Sequence, residues 1–210
     1  MKTFKLVTLD LDHTIFLGNT VIYLNRFLGI SKLLERYHAD YRNGKISEIE
    51  LNNLQTPLLE KVSVSKALEL LSKGPILKNL DKGIGMLRGV GADVQMLTMN
   101  PLQVVFQKRF GIGTDTALFT IDGDRFKLSG AFPENKVELL ERYCLENKIE
   151  MTSCAHVGDS QNDVATFRRV GYSIALNPSN EKVQKEASAS LKTDDFLDVA
   201  NTLLRANDLT

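Results

Sequence analysis

The chain is short of cysteine, of net charge and of long apolar runs, and each shortage excludes something. Only Cys144 and Cys154 occur in 210 residues. Two cysteines cannot build a disulfide framework, and these two lack the spacing of a zinc site, so both are expected as buried thiols. Lys plus Arg and Asp plus Glu balance at 26 each. Such a chain casts no global field toward nucleic acid or an anionic membrane surface, which makes a small or neutral partner the expectation. No stretch reaches the roughly 18 apolar residues of a membrane span. The opening MKTFKLVTLDLDHT meets acids before any apolar run long enough for a signal peptide, and a cytoplasmic location is therefore expected. No low-complexity segment interrupts the chain.

What is present is the composition of a folded domain, with 43% hydrophobic and 25% charged residues. At roughly 100–200 residues per domain, the length allows one domain or one domain with an insert. FKLVTL (4–9), ADVQMLT (92–98), SCAHVG (153–158) and GYSIAL (171–176) are short apolar runs of the kind that form strands buried on both faces. Helical patterns alternate with them: DKGIGMLRGVG (81–91), PLQVVFQKRFG (101–111), PENKVELLERYCLENK (133–148) and TDDFLDVANTLLRANDL (193–209). That alternation predicts an α/β fold with a parallel sheet flanked by helices.

Two segments depart from it. Residues 17–75 hold no convincing strand, only helical patterns such as VIYLNRFLGISKLLERYHADYRN and SVSKALELLSK, with a turn at NGK (43–45). This predicts an inserted helical unit, with residues 1–16 and 76–210 forming the α/β core. In ALFTIDGDRFKLSGAF (117–132), Asp-Gly between two alternating runs predicts a β-hairpin.

In an open α/β sheet, ligands bind outside the carboxyl ends of the strands. Asp10, Asp12 and Thr14 follow the first strand, Thr98 the second, and GDSQND, with Asp159, Asn162 and Asp163, the third, while Lys136 opens a helix between them. If those strands are neighbours, four aspartates crowd one pocket and raise one another's pKa unless a cation compensates. Carboxylates and carbonyls without a His or Cys cluster suit a hard ion such as Mg²⁺. A cation and a lysine together suit a phosphate, with Thr98 and neighbouring backbone amides as donors. Asp10 is then placed to attack phosphorus as a nucleophile, and Asp12 to serve as general acid and base.

These motifs resemble, in order, those of the haloacid dehalogenase-like hydrolases in their phosphatase branch. DLDHT is similar to the family's first motif, Thr98 to the second, Lys136 to the third and GDSQND to the fourth. The resemblance implies a Rossmann-like core with a helical type 1 cap at residues 17–75, a cap that opens and closes over the site. It also implies Mg²⁺ as cofactor and hydrolysis of a small phosphomonoester through an aspartyl-phosphate. By it, Asp10 is nucleophile and metal ligand, and Asp12 is acid/base with a carbonyl on the metal. Thr98, Met99, Asn100, Lys136 and Asn162 hold or lie near the phosphoryl group, Asp159 ligates the metal, and Asp163 supports it through water or Lys136.

Hairpin and cap position look most like the phosphoserine phosphatase subgroup, with departures. Asn19 stands where that subgroup has a substrate-binding glutamate, Asn53 where it has an arginine, and Met99 and Asn100 where it has glycines. Phosphoserine itself is therefore not expected as the substrate.

Other readings remain at this stage. A phosphotransferase or phosphomutase would use the same acids. A receiver-type signalling module would share the aspartates, Thr and Lys, but such compact domains of roughly 120 residues lack a helical insert. A decayed binding protein would not need the acids. Taken singly, Asp10 and Asp12 also read as strand-end acids, Lys136 as a surface lysine and Asp163 as a helix cap. His13 and His156 read as packed or solvated rings, and His38 as a solvated or partly packed one amid Arg36, Tyr37, Tyr41 and Arg42.

Overall fold

The apolar, β-branched run at residues 6–9 forms β1 (Leu6–Leu9), and all four of its residues are buried. The computed structural model describes residues 4–113, 119–128 and 135–208. β1 lies between β2 (Asp93–Met96) and β5 (Cys154–Gly158) in a five-stranded parallel sheet that continues through β6 (Tyr172–Leu176) to β7 (Ala189–Leu191), in the order β2-β1-β5-β6-β7. This is the expected α/β architecture. The edge strand β7 was not foreseen, because its three half-buried residues include Ser190 and present no apolar run.

Register places the strand ends together. Leu9 pairs with Met96 on one side and with Val157 on the other. The pairing persists one residue further, as the Asp10 amide donates to the Val157 carbonyl at 2.9 Å and the Leu97 amide to the Leu9 carbonyl at 2.9 Å. The segments following β1, β2 and β5 therefore leave the sheet side by side.

Four helices separate β1 from β2 at the insert: α1 (Thr20–Leu28), α2 (Leu33–Arg42), α3 (Glu48–Leu59) and α4 (Val64–Ser72). Side-chain caps from Asn19, Ser47 and Ser63 start α1, α3 and α4, with a capping box between Ser47 and Glu50. The pattern over VIYLNRFLGISKLLERYHADYRN is two helices rather than one. Gly29 adopts φ +59°, and its amide donates to the Asn25 carbonyl, so a left-handed glycine ends α1 before α2 begins.

The remaining helices, α5 (Leu80–Gly89), α6 (Gln103–Phe110), α7 (Lys136–Glu146), α8 (Val164–Phe167), α9 (Glu181–Glu186) and α10 (Phe196–Asp208), alternate with the strands. None of the helices among the described residues is long and apolar enough to cross a membrane. The hairpin is present as β3 (Phe119–Asp122) and β4 (Arg125–Leu128), antiparallel about Gly123 and Asp124. Its outer expected residues, 117–118 and 129–132, lie outside the described residues, as do 133–134 of the expected helix and Leu209. The Asp124 carboxylate accepts from the Ser65 amide at 2.7 Å, which docks the hairpin on the start of α4.

Both cysteines are buried, with their Sγ atoms 3.5 Å apart between α7 and β5. A continuous core joins β1, the helical insert and α10 through Val7, Phe16, Leu71, Phe106, Phe196 and their neighbours.

Candidate active site

The site begins where β1 ends. Asp10 is buried, and its Oδ1 accepts from the Leu11 amide at 2.7 Å. Its Oδ2 lies 2.8 Å from Nζ of Lys136, the first residue of α7. The same ammonium donates to Oδ1 of Asp163 at 2.7 Å, so one buried lysine bridges two buried aspartates. Asp163 also gathers four more donors. His156 Nε2 reaches its Oδ1 at 3.0 Å, and its Oδ2 accepts from the Asp159 amide (3.1 Å), the Ser160 amide (2.9 Å) and the Ser160 hydroxyl (3.0 Å). It does not cap α8, for its carboxylate reaches back over the preceding turn.

Asp10, Asp159 and Asp163 each place a carboxylate oxygen within 4.8 Å of the others. Burial raises the pKa of Asp10, against the pull of Lys136. Burial, together with the charges of Asp10 and Asp163, pushes Asp159 up to about 8. Asp163 is the exception, because Lys136 and His156 overcome its desolvation and hold it well below the usual carboxylate range. Lys136 in turn is held above the usual lysine range by Asp10 and Asp163 despite its burial. Three carboxylates facing one ammonium leave an excess of negative charge. An all-oxygen donor set of this kind fits a hard divalent cation.

Asp12 stands beside this cluster under four donors. Asn19 Nδ2 and Asn100 Nδ2 reach its Oδ2 at 2.8 Å each, and the Thr20 amide (2.9 Å) and hydroxyl (2.8 Å) reach its Oδ1. Burial raises its pKa, and the Thr20 bonds oppose the rise. Thr98 is buried, and its hydroxyl accepts from the Asn100 amide at 3.3 Å. The Met99 side chain packs into the core beside Leu97 and Leu139, while its carbonyl receives a 3.4 Å bond from Asn52 Nδ2. Asn162 donates to the Tyr41 hydroxyl at 2.6 Å and to Glu48 at 3.0 Å.

Asp10, Asp12, Thr98, Met99, Asn100, Lys136, Asp159 and Asn162 border one cavity of about 600 Å³, whereas Asp163, His156 and Thr20 lie behind its wall. Its opposite wall comes from the helical insert. His38, Tyr41 and Arg42 line it from α2, and Glu48, Leu51, Asn52 and Gln55 from α3. His38, expected as a solvated or partly packed ring, is buried, 3.1 Å from Gln55 Oε1. Burial lowers its pKa and pushes that of Glu48 up to about 7.

Arg42, Glu48, Asn52 and Gln55 were absent from the candidate set, yet a signal existed. Positions 38, 41 and 42, and positions 48, 51, 52 and 55, are spaced i, i+3, i+4 and i+7, so each set shares a helix face. Those faces are polar where a core-packed face would be apolar. Asn53, the position aligned with the subgroup's arginine, is exposed and does not line the cavity. Asn19 does line it, but its Nδ2 is engaged with Asp12 and its Oδ1 caps α1 by accepting from the Ile22 amide at 2.9 Å.

The acidic, lysine-bearing pocket lies at the carboxyl edge of an open parallel sheet, where ligands bind in α/β folds. The sequence pattern of the haloacid dehalogenase-like hydrolases matches residues 134–203. A phosphoserine phosphatase of Methanocaldococcus jannaschii is 24% identical over 185 residues, covering 83% of this chain and 86% of the relative. Among solved structures, a phospho-aspartyl intermediate analogue of phosphoserine phosphatase superposes with a TM-score of 0.75 at 18% identity, over 96% of this chain and 99% of the other. A cobalt-bound deoxy-D-mannose-octulosonate 8-phosphate phosphatase from Haemophilus influenzae has a TM-score of 0.58 at 14% identity, over 99% and 91% of the two chains. Over residues 134–203 the chain carries the pattern of the haloacid dehalogenase-like hydrolases, and it is similar in sequence and in fold to phosphoserine phosphatase.

Proposed function

We propose that this chain is a phosphatase that hydrolyses a small phosphomonoester through an aspartyl-phosphate on Asp10, with Mg²⁺ as its metal. The observation that carries the reading is the Lys136 ammonium 2.8 Å from the Asp10 carboxylate, in a cavity that Asp12 also borders. In the first step an Asp10 oxygen attacks phosphorus while the ester oxygen leaves, taking a proton from Asp12. In the second step Asp12 removes a proton from water. That water attacks phosphorus, the bond to Asp10 breaks, and phosphate departs.

Lys136 and Thr98, with the backbone at Met99 and Asn100, are assigned to hold the phosphoryl oxygens, and Asn162 to stand near them. Asp10, Asp159 and the Asp12 carbonyl are assigned to the ion, with Asp163 supporting it through Lys136 or water. Bound there, Mg²⁺ would neutralise the crowded carboxylates and polarise the phosphoryl group.

Residues 17–75 act in this reading as a cap over the core formed by 1–16 and 76–210, and the contacts of Tyr41 and Glu48 with Asn162 support it. The cavity wall supports a small substrate with a polar leaving group, because Arg42 offers a charge at its exposed rim and Asn52 and Gln55 line it further in. The relative's name gives phosphoserine as a candidate. Against it stand the uncharged Asn19, already engaged, and the exposed Asn53. The reading includes a cytoplasmic enzyme with no nucleic-acid or membrane partner.

The test is phosphate release from a panel of phosphomonoesters, including p-nitrophenyl phosphate and phosphoserine, with and without Mg²⁺, for wild type and Asp10→Asn. Mg²⁺-dependent turnover lost in the variant supports the reading. A stable acyl-phosphate without turnover would favour a phosphotransferase instead.

A further inference from the structure

The site rests on a circuit of hydrogen bonds that the backbone from Thr8 to Asp10 closes, and two of its members, His156 and Thr8, have no part in the proposed chemistry. From Asp10 the circuit runs to Lys136 (2.8 Å), to Asp163 (2.7 Å) and to His156 Nε2 (3.0 Å). From His156 Nδ1 it passes to the Thr8 hydroxyl at 2.9 Å, and Thr8 stands two residues before Asp10 on the same chain. Thr8 and His156 are directly paired across β1 and β5. His156 and Asp163 are 0% exposed, Thr8 is 1% exposed and Lys136 3%.

Three features make this a built arrangement rather than a chance contact. First, alternate residues of a strand face the same side, so Thr8 on β1 and Asp10 just after it, and His156 and Gly158 on β5, share a face. Gly158 is needed there. A Cβ at that position would stand 2.3 Å from Cγ of Asp163, so its missing side chain is what lets the carboxylate fold down onto the imidazole. Second, the hydrogens are directional. An ionised Asp163 only accepts, so Nε2 of His156 carries the hydrogen, while Nδ1 pairs with the Thr8 hydroxyl, which also reaches the Ala155 carbonyl at 3.3 Å. Third, Asp163 has five donors on its two oxygens, and Lys136 and His156 share Oδ1.

We propose that His156, oriented by Thr8, is a positioning residue of the phosphoryl site: it fixes Asp163, Asp163 fixes the Lys136 ammonium, and Lys136 is thereby held at the nucleophile. The inference rests on the phosphatase reading for the role of Lys136. The physical reason is that Lys136 has a flexible four-carbon stem, so its place is set by the partners it meets. Three donors hold Oδ2 of Asp163, and the ring holds Oδ1, the oxygen that meets Lys136. Partners one shell out from reacting groups typically matter by 10–100-fold when deleted, as they do for histidines that ligate metals.

The test compares His156→Leu, His156→Gln and Thr8→Val with wild type, and uses Ile174→Val, a buried β6 position away from the circuit, as a core control. Three quantities are read: kcat and KM for p-nitrophenyl phosphate with Mg²⁺, affinity for inorganic phosphate by calorimetry, and the thermal midpoint. His156→Leu is expected to lose about 10–100-fold in kcat/KM and to bind phosphate more weakly. His156→Gln, whose amide can donate to Asp163, is expected to recover about tenfold of that loss, on the same scale. Thr8→Val is expected to fall between wild type and His156→Leu. Ile174→Val should lower the midpoint while leaving phosphate affinity intact.

The proposal is overturned if His156→Leu retains kcat/KM and phosphate affinity within twofold of wild type. Equal losses in the Leu and Gln variants, tracking their midpoints as in the core control, overturn it too, since packing alone then suffices. Should wild type itself show no turnover, the phosphatase reading fails, and phosphate affinity across the variants still decides whether His156 positions Lys136.

Discussion

The Lys136 ammonium lies 2.8 Å from the Asp10 carboxylate, and both side chains are almost wholly withdrawn from water. A buried charge pair of this kind is weak evidence for stability and strong evidence for arrangement, because its attraction only roughly offsets the cost of desolvating both ions. Breaking it is another matter. Lys136→Met leaves Asp10 and Asp163 buried without their cation and is expected to destabilise the fold by about 3–5 kcal/mol, as single-partner deletions of buried pairs do. Chemical denaturation measures this. Adding Asp10→Asn to the same chain should restore part of the loss, since it removes one of the orphaned charges.

Asp10→Asn alone should leave a folded protein whose turnover falls by roughly 10⁴-fold or more, the scale on which loss of a catalytic nucleophile acts. Steady-state phosphate release measures the loss, and circular dichroism verifies the fold. Substantial residual turnover would remove Asp10 from the role of nucleophile.

Gly158→Ala brings a methyl group to 2.3 Å from Cγ of Asp163. Overpacking of this kind costs about 1–3 kcal/mol. The expected outcome is a lower thermal midpoint together with reduced phosphate affinity, because the carboxylate that must move is the one holding Lys136.

Glu48 carries a pKa pushed up to about 7 by burial, against an ordinary value of 4.5. A carboxyl whose folded pKa lies above its unfolded one keeps its proton in the folded state alone between the two values. Its contribution is therefore fully present below about pH 4.5 and is lost as pH rises through about 7. Glu48→Gln removes this dependence. The midpoint of the variant minus that of wild type should grow as pH rises from 5 to 8, in scans at matched ionic strength.

Arg42 stands at the exposed rim of the cavity. For a substrate with an anionic leaving group, Arg42→Ala should raise KM more than it lowers kcat. A charged hydrogen bond worth about 1.5–3 kcal/mol corresponds to a change on the order of 10–100-fold. For p-nitrophenyl phosphate the effect should be small, and kinetics on the two substrates separate the cases.

The parallel sheet, the hairpin and the order of the acids were legible in the sequence because they depend on local rules. Buried strands need apolar runs, Asp-Gly makes a tight turn, and ligands collect where strands end. Asp10, Asp12, Thr98 and Asp159 could be picked out for that reason. Other features depend on short or ambiguous signals. Three residues with a serine among them do not announce β7, and a left-handed glycine divides what periodicity reads as one helix into α1 and α2.

What only the tertiary structure decided is which polar groups share an oxygen. Asn19 reads as a missing substrate charge and Asn100 as a phosphate-binding residue in place of a glycine, yet both converge on the Asp12 carboxylate. His156 reads as a lone histidine until β5 pairs with β1 and sets it between Thr8 and Asp163. The helical faces of α2 and α3 carried a visible polar spacing, but spacing within a helix does not say what the face meets. A hydrogen bond is fixed by tenths of an ångström and by direction, whereas sequence periodicity fixes only a side of an element. Composition and pattern therefore determined the sheet and its acidic edge, while the packing of the helical insert across that edge decided which residues close the pocket.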